Sequence, residues 1–329
     1  NAGMWLYEGL SLFRSPKRHR TLSPKDISEE EPALDISNVK GAPLYYDCST
    51  DDARLTLESA VDAAHTGAVI ATWTKAIGLI RDETGRVTGI EVENVFTGET
   101  KKVFGHAIIN ATGPWTDKTM SLGGGESQRS GVLRPTKGVH LVVKREKLPV
   151  NNAVVCFHPE DKRVLFAIPW GEHTYVGTTD TDYQGDPAKV RAELEDIDYL
   201  ISVSNHHFKE HQISYDDVIS TWAGLRPLVK PLGTEADMDE SSVSREHQII
   251  VGNDGLITIA GGKLTTYRRM AERVIDELRD ILGSPPTDED RTLEVLLPGT
   301  PAEPESFRRD RRALLVEAGV DGGTADRLG

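Results

Sequence analysis

Cysteine is scarce: Cys48 and Cys156 are the only two in 329 residues, and their spacing matches no metal or redox motif. That excludes a disulfide-stapled secreted scaffold and fits a reducing compartment, so a cytoplasmic location is expected. Long apolar runs are lacking too. None approaches the roughly 20 residues a helix needs to cross a bilayer. No signal peptide is visible, and any membrane association is expected to be peripheral. Basic charge is in deficit, since 38 Lys and Arg against 52 Asp and Glu leave a net charge of -14. A surface of that sign repels nucleic acid, which argues against DNA or RNA as a partner. A G-x-G-x-x-G fingerprint followed by an acidic residue is also absent.

What is present is ordinary globular material. The length suffices for one large domain or two smaller ones, with a core that needs no disulfide or metal. One basic run, Arg14-Ser-Pro-Lys17-Arg18-His19-Arg20, reverses the overall sign. A solvated loop accounts for it. The sharper alternative is a patch for anionic lipid headgroups, worth about 1 kcal/mol per basic residue at a charged bilayer. The chain begins at Asn1 inside what reads as a helix, with Met4, Leu6, Tyr7, Leu10 and Leu12 one or two turns apart. It stops at Gly329 without a terminal signal. The expectation is a segment of a longer protein.

Thr50 or Asp51 can cap a helix that carries Leu57, Ala60, Val61 and Ala64 on one face and ends at Gly67. Val69–Thr72 reads as a short buried strand. Strands at 77–81, 87–95 and 102–104, separated by Asp82-Glu-Thr-Gly85 and Thr97-Gly98-Glu99, form an antiparallel meander that leads to a buried strand at 107–110. Further strands are expected at 141–143, 153–157, 164–168 and 174–177. A long helix from about 187 to 208, with Val190, Leu194, Ile197, Leu200 and Ile201 on one face, precedes strands around 219–223 and 247–251. This second region reads as an antiparallel sheet with helices on one face. A strand at 256–260, the turn Gly261-Gly262 and a helix over 263–282 follow. A proline-rich linker, Leu297–Pro304, leads to a helical segment from Phe307.

Two turns carry the chemical signal. In the strand–Gly–Gly–helix unit at 256–282, glycine lets a planar ligand approach the backbone, and the helix start offers free N–H groups and partial positive charge. A flavin needs this at its pyrimidine edge. An ordinary strand–helix turn accounts for it equally. The strand ending Asn110-Ala-Thr112-Gly113-Pro-Trp115 places glycine where ligands bind in open α/β sheets. Gly123-Gly-Gly125 reads as a flexible loop, because no strand directly precedes it.

The ordered set is more specific than its members. Asp51-Asp-Ala-Arg-Leu55, Asn110-Ala-Thr-Gly-Pro-Trp115, Lys137-Gly-Val-His140, Ile168-Pro-Trp170, Gly177-Thr-Thr-Asp180, Gly224-Leu-Arg-Pro-Leu228 and Gly261-Gly-Lys-Leu-Thr-Thr-Tyr-Arg268 occur in that sequence. Together, from about residue 40 to residue 300, they resemble the FAD-dependent, respiratory glycerol-3-phosphate dehydrogenases. The resemblance implies an α/β two-domain flavoprotein oxidoreductase with an α+β substrate domain. The implied layout is part of the FAD domain at 1–130, a substrate domain at 131–252, a return to the FAD domain at 253–296, and a linker with the start of a helical domain at 297–329. The family's N-terminal strand–Gly-rich turn–helix, which grips the FAD pyrophosphate, is not in this sequence.

The implied reaction oxidises sn-glycerol 3-phosphate to dihydroxyacetone phosphate, with FAD as cofactor and quinone as electron acceptor. Arg226 matches the family's active-site arginine, for the phosphate or a developing alkoxide. His140 is the candidate general base. Arg245 is a second candidate for the phosphate, and Lys263 for the substrate or the flavin's carbonyl edge. Thr112, Gly113, Gly261, Gly262, Lys263, Leu264 and Thr265 are the expected cofactor contacts, and no metal site is expected. Asp180 is expected to cap or orient a loop. A glycerol-phosphate oxidase, a sarcosine-type amine oxidase and a non-catalytic segment without flavin remain as alternatives. Homo-oligomeric assembly is open.

Overall fold

The computed structural model describes residues 2–10, 17–122, 131–230, 246–283, 291–323 and 325. Arg245, Gly123–Gly125 and the first part of the basic run lie outside the described residues. In chain order the elements begin with α1 (Ala2–Leu10), β1 (Arg20–Leu22), α2 (Pro24–Glu30), β2 (Ala42–Leu44) and α3 (Asp52–His65). Next come β3 (Thr74–Arg81), β4 (Val87–Asn94), β5 (Thr100–Phe104), β6 (Ile109–Asn110) and α4 (Thr116–Met120). The middle of the chain gives β7 (Leu133–Lys144), β8 (Val154–Phe157), β9 (Val164–Trp170), β10 (His173–Gly177), β11 (Thr181–Asp182) and α5 (Leu194–His207). Then follow β12 (Val218–Val229), β13 (Gln248–Val251), β14 (Ile257–Ala260), α6 (Tyr267–Leu282) and α7 (Pro304–Glu317). The chain divides into two compact units, one of Asn1–Cys48 with Lys75–Gly283 and one of Ser49–Thr74 with Ser284–Gly329.

The larger unit is organised around β7. It pairs with β12 along one edge and with β10 and β11 along the other, and β10, β9 and β8 continue the sheet, all antiparallel. Strand residues alternate between faces with period two. Val139, Leu141 and Val143 are fully buried, and they share one core with Ile197, Leu200 and Val203 of α5. The helix spacing of those three residues supplies the apolar stripe that covers one face of the sheet.

The helix expected from 187 begins later. Asp186 caps a short turn at Pro187–Lys189, and Val190 is extended at ψ 134°. Glu193 and Asp196 then form a reciprocal capping box that starts α5 at Leu194. The local caps, which apolar spacing does not report, set the boundary.

The expected meander is present as β3–β4–β5, with Gly85 and Gly98 at φ 85° and 71° in its two turns. A small sheet follows in which β14 runs parallel to β6 and antiparallel to β13. Of the basic run, His19 is buried against Glu8, with Nδ1 2.8 Å from Oε1, and Arg20 pairs with Glu30.

In the smaller unit Asp51, not Thr50, caps α3, accepting the Arg54 N–H at 2.9 Å. The strand expected at 69–72 does not form. Val69 is 92% exposed and Ile70 50%, and the next strand starts at Thr74. Four apolar residues satisfy the pattern, but β-propensity reports fit to a pleated, half-buried surface, and this segment joins no ladder among the described residues. Pro304 opens α7 at a position where its missing N–H costs nothing. No described helix is long and apolar enough to cross a membrane.

Candidate active site

The face of the large sheet opposite α5 carries a concentrated set of polar and aromatic groups. Antiparallel register places Arg226 opposite Thr136, Gly224 opposite Gly138 and Trp222 opposite His140. It also sets Gly177 opposite His140 and Tyr175 opposite Val142. Directly opposed residues share a face, so His140, Arg226, Trp222 and Tyr175 stand together over three glycines. Two of those glycines make room for functional groups. A Cβ on Gly177 would lie 2.1 Å from the His140 ring, and one on Gly138 would lie 2.9 Å from the Arg226 guanidinium. Above Gly224 no described residue lies within 4 Å of such a position.

The Arg226 guanidinium is held by the segment that follows β10. Its Nη1 donates to the Thr179 carbonyl and to Asp180 Oδ1, and its Nη2 donates to Thr178 Oγ1, each at 3.2 Å. Asp180 therefore orients the arginine itself. The Arg226 side chain remains 27% exposed on the open face.

His140 lies nearly parallel to Trp222, with centroids 5.0 Å apart and an interplanar angle of 16°. Tyr175 meets its edge at 5.9 Å. Burial, with the Arg226 charge as a second cause, pushes the His140 pKa down to about 4. The imidazole is consequently neutral at pH 7 and can accept a proton. Its Nδ1 is buried without a hydrogen-bond partner among the described residues.

The motif Lys137-Gly-Val-His140 is split by strand alternation. Gly138 and His140 face the open side. Lys137 points the other way and pairs with Asp196 of α5, Nζ to Oδ2 2.5 Å, with side chains 12% and 6% exposed. Trp222 and Tyr175 were not among the candidates. Trp222 is four positions from Arg226 in one strand, so period two alone puts both on the same face.

The two glycine turns leave from the same end of a parallel strand pair, since Ile257 lies beside Ile109 and Thr258 beside Asn110. Buried Asn110 fastens them, donating to the Thr116 carbonyl at 3.2 Å and to Thr258 Oγ1 at 3.4 Å. Its Oδ1 accepts the Thr112 hydroxyl at 2.7 Å. Gly113 has φ 53°, and no described residue lies within 4 Å of a Cβ built on it. Gly261 and Gly262 have φ 75° and 85°, and a Cβ there would strike the Glu246 carbonyl at 2.7 Å and the Met270 sulfur at 2.5 Å. Beyond them Lys263, Leu264 and Thr265 are exposed. Neither the turn at Leu264–Thr266 nor α6 has a side-chain cap, which leaves first-turn N–H groups for a ligand. These residues fit a planar cofactor with an anionic edge.

The sheet and the turns meet. Val229, three residues beyond Arg226, shares a small core with Leu133 and Ala260, and its Cγ2 lies 3.0 Å from the Cβ position of Gly261. The turn Gly113–Trp115 also neighbours β12. The end of β12 that carries Arg226 thus lies beside both glycine turns. Arg245 lies outside the described residues.

Residues 6–268 match the family model described as FAD dependent oxidoreductase. The aerobic glycerol-3-phosphate dehydrogenase of Staphylococcus haemolyticus is 40% identical over 278 residues, 84% of this chain and 49% of that protein. The chain therefore spans about half the length of the curated relatives it matches. The crystal structure of glycerol-3-phosphate dehydrogenase from Bacillus halodurans complexed with FAD superposes with a TM-score of 0.79 at 36% identity, covering 94% of this chain and 59% of that one. L-alpha-glycerophosphate oxidase from Mycoplasma pneumoniae, with FAD bound, shares the fold at TM-score 0.59 and 18% identity, over 88% of this chain and 72% of its own.

Proposed function

The chain belongs to the FAD-dependent oxidoreductase family, and on that premise we propose that it oxidises the C2 hydroxyl of sn-glycerol 3-phosphate to the ketone of dihydroxyacetone phosphate, with electrons passing on to quinone. The observation that carries this reading is the β7–β12 register, which sets a neutral histidine and a guanidinium on one face of a strand pair whose end lies beside two glycine turns. FAD supplies the hydride acceptor when bound. Thr112, Gly113, Gly261, Gly262 and the helix start at Lys263–Thr265 would hold it, with first-turn N–H groups towards its electron-rich edge.

The remaining work falls to side chains of the open face. His140, uncharged at neutral pH, takes the C2 hydroxyl proton as the C2–H bond gives up its hydride. Arg226 holds the phosphate or the developing alkoxide, because a guanidinium makes paired, charge-assisted bonds to oxygen anions. Lys263 contributes a second positive charge at the glycine turn, and Arg245 is the further candidate for the phosphate. Quinone as acceptor implies a protein at the cytoplasmic membrane surface.

The test is turnover of the FAD-loaded protein with glycerol 3-phosphate, glycerol and sarcosine, each with a soluble quinone and with oxygen. Glycerol lacks the anion that a half-buried guanidinium requires, so its kcat/KM is expected to be lower by about 10- to 100-fold. Arg226→Lys keeps the charge and loses the fork, and it should impair turnover while FAD stays bound. Equal use of glycerol, or preference for sarcosine, overturns the substrate. Faster reoxidation by oxygen than by quinone overturns the acceptor.

A further inference from the structure

Three consecutive residues, Thr178, Thr179 and Asp180, each place one oxygen 3.2 Å from the Arg226 guanidinium. The segment that presents them is itself anchored. Thr179 Oγ1 accepts the Val139 N–H of β7 at 3.0 Å. Arg163 Nη1 donates to the Asp180 carbonyl at 2.5 Å. Downstream, Asp182 takes two bonds from Arg134, at 2.8 Å from Nε and 2.7 Å from Nη2. The three acceptors are thereby fixed before any ligand arrives.

Two of the three are neutral. Thr178 Oγ1 and the Thr179 carbonyl orient the guanidinium without changing the charge of the site. Asp180 alone brings a negative charge, and its side chain is 15% exposed against 27% for Arg226. Partial burial makes that charge count for more than it would on an open surface.

We propose that Asp180 is a charge-compensating positioning residue for Arg226, and that it limits how tightly this face holds a phosphate-bearing ligand. The inference rests on the reading of Arg226 as an anion ligand given above. A phosphate reaching the guanidinium across the open space over Gly224 meets a site whose cation is already balanced. The resident carboxylate repels it, so the site holds phosphate esters reversibly and does not trap inorganic phosphate. Thr178 and Thr179 keep the fork in place while Asp180 sets the charge.

The test is calorimetric titration of inorganic phosphate into the FAD-loaded protein, alongside steady-state turnover of glycerol 3-phosphate. Asp180→Asn keeps an acceptor oxygen and removes the charge. It should tighten phosphate binding by about 3- to 30-fold and lower the KM in parallel. Asp180→Glu, which keeps the charge, should bind phosphate within about twofold of the wild type. In an Arg226→Met background the tightening should vanish, because Asp180 acts through the arginine. Asp180→Ser removes the same charge and replaces the Asn variant if that one does not fold. Loss of binding in Arg226→Met with unchanged or weaker binding in Asp180→Asn overturns the inference and leaves the anion reading intact. Phosphate binding absent from both the wild type and Asp180→Asn, or indifferent to Arg226 in both, overturns the inference and the anion reading together.

Discussion

Two ion pairs flank the same strand pair, one on each face of the sheet. Lys137 meets Asp196 under α5, with side chains 12% and 6% exposed. Arg226 meets Asp180 on the open face, at 27% and 15%. The Asp196 carboxylate also accepts the Glu193 N–H at 2.9 Å, so one group fastens both the helix cap and the sheet. The Asp180 carboxylate fastens a side chain that a ligand can still reach. The same pairing of charges is a covered tie under a helix and a more exposed one on the face that no described helix covers.

Breaking the covered pair should have the largest effect on stability. Lys137→Met leaves the Asp196 carboxylate buried without its cation, which costs about 3–5 kcal/mol. Chemical denaturation should register that loss. Turnover per folded molecule should stay near wild type, because Lys137 faces away from the site. A variant of normal stability and poor turnover would put Lys137 on the wrong side of the comparison.

A crowding change on the open face should cost less stability and more activity. Gly177→Ala places a Cβ 2.1 Å from the His140 ring, and overpacking of this kind costs about 1–3 kcal/mol. The imidazole must move off its stack with Trp222. Melting temperature and kcat/KM should both fall, with kcat/KM falling further than in Lys137→Met. Unchanged kcat/KM would remove His140 from the reaction.

The smallest effect is a matter of pH. The His140 pKa lies at about 4, below its ordinary 6.5. kcat/KM should therefore be level between about pH 8 and about pH 6 and decline only towards pH 4. The stability contribution has the same sign: it is complete above pH 6.5, where both states are neutral, and is lost as pH falls through about 4. Arg226→Met removes one cause of the depression and should move the acid limb of the rate profile upward. An acid limb already near 6.5 in the wild type would contradict the buried, neutral imidazole.

Much of this arrangement was legible in the chain. The meander and the cap at Asp51 are local and appear where turn chemistry and spacing place them, and so does the strand–Gly–Gly unit, although the helix expected from 263 begins only at Tyr267, after a tight turn at Leu264–Thr266. Arg226, His140 and the glycines at 113, 261 and 262 could be singled out as an ordered set. The strand expected at 69–72 failed because apolar pattern carries no information about a ladder partner. The helix expected from 187 failed because Val190 and the Glu193–Asp196 box reset its start. Neither the Lys137–Asp196 pair nor the Arg226–Asp180 pair was readable, since their members lie 59 and 46 residues apart.

By itself the sequence determined which residues can share a face, because side-chain alternation along a strand is a property of neighbouring peptide units. It thus set His140 with Gly138, and Trp222 with Gly224 and Arg226. Tertiary structure decided which of the two faces stays open, which depends on where α5 packs. It also decided that β12 lies beside β7 in the register that joins histidine to tryptophan and arginine to Asp180. Those choices rest on burial of apolar surface between segments far apart in the chain, and no local period encodes them.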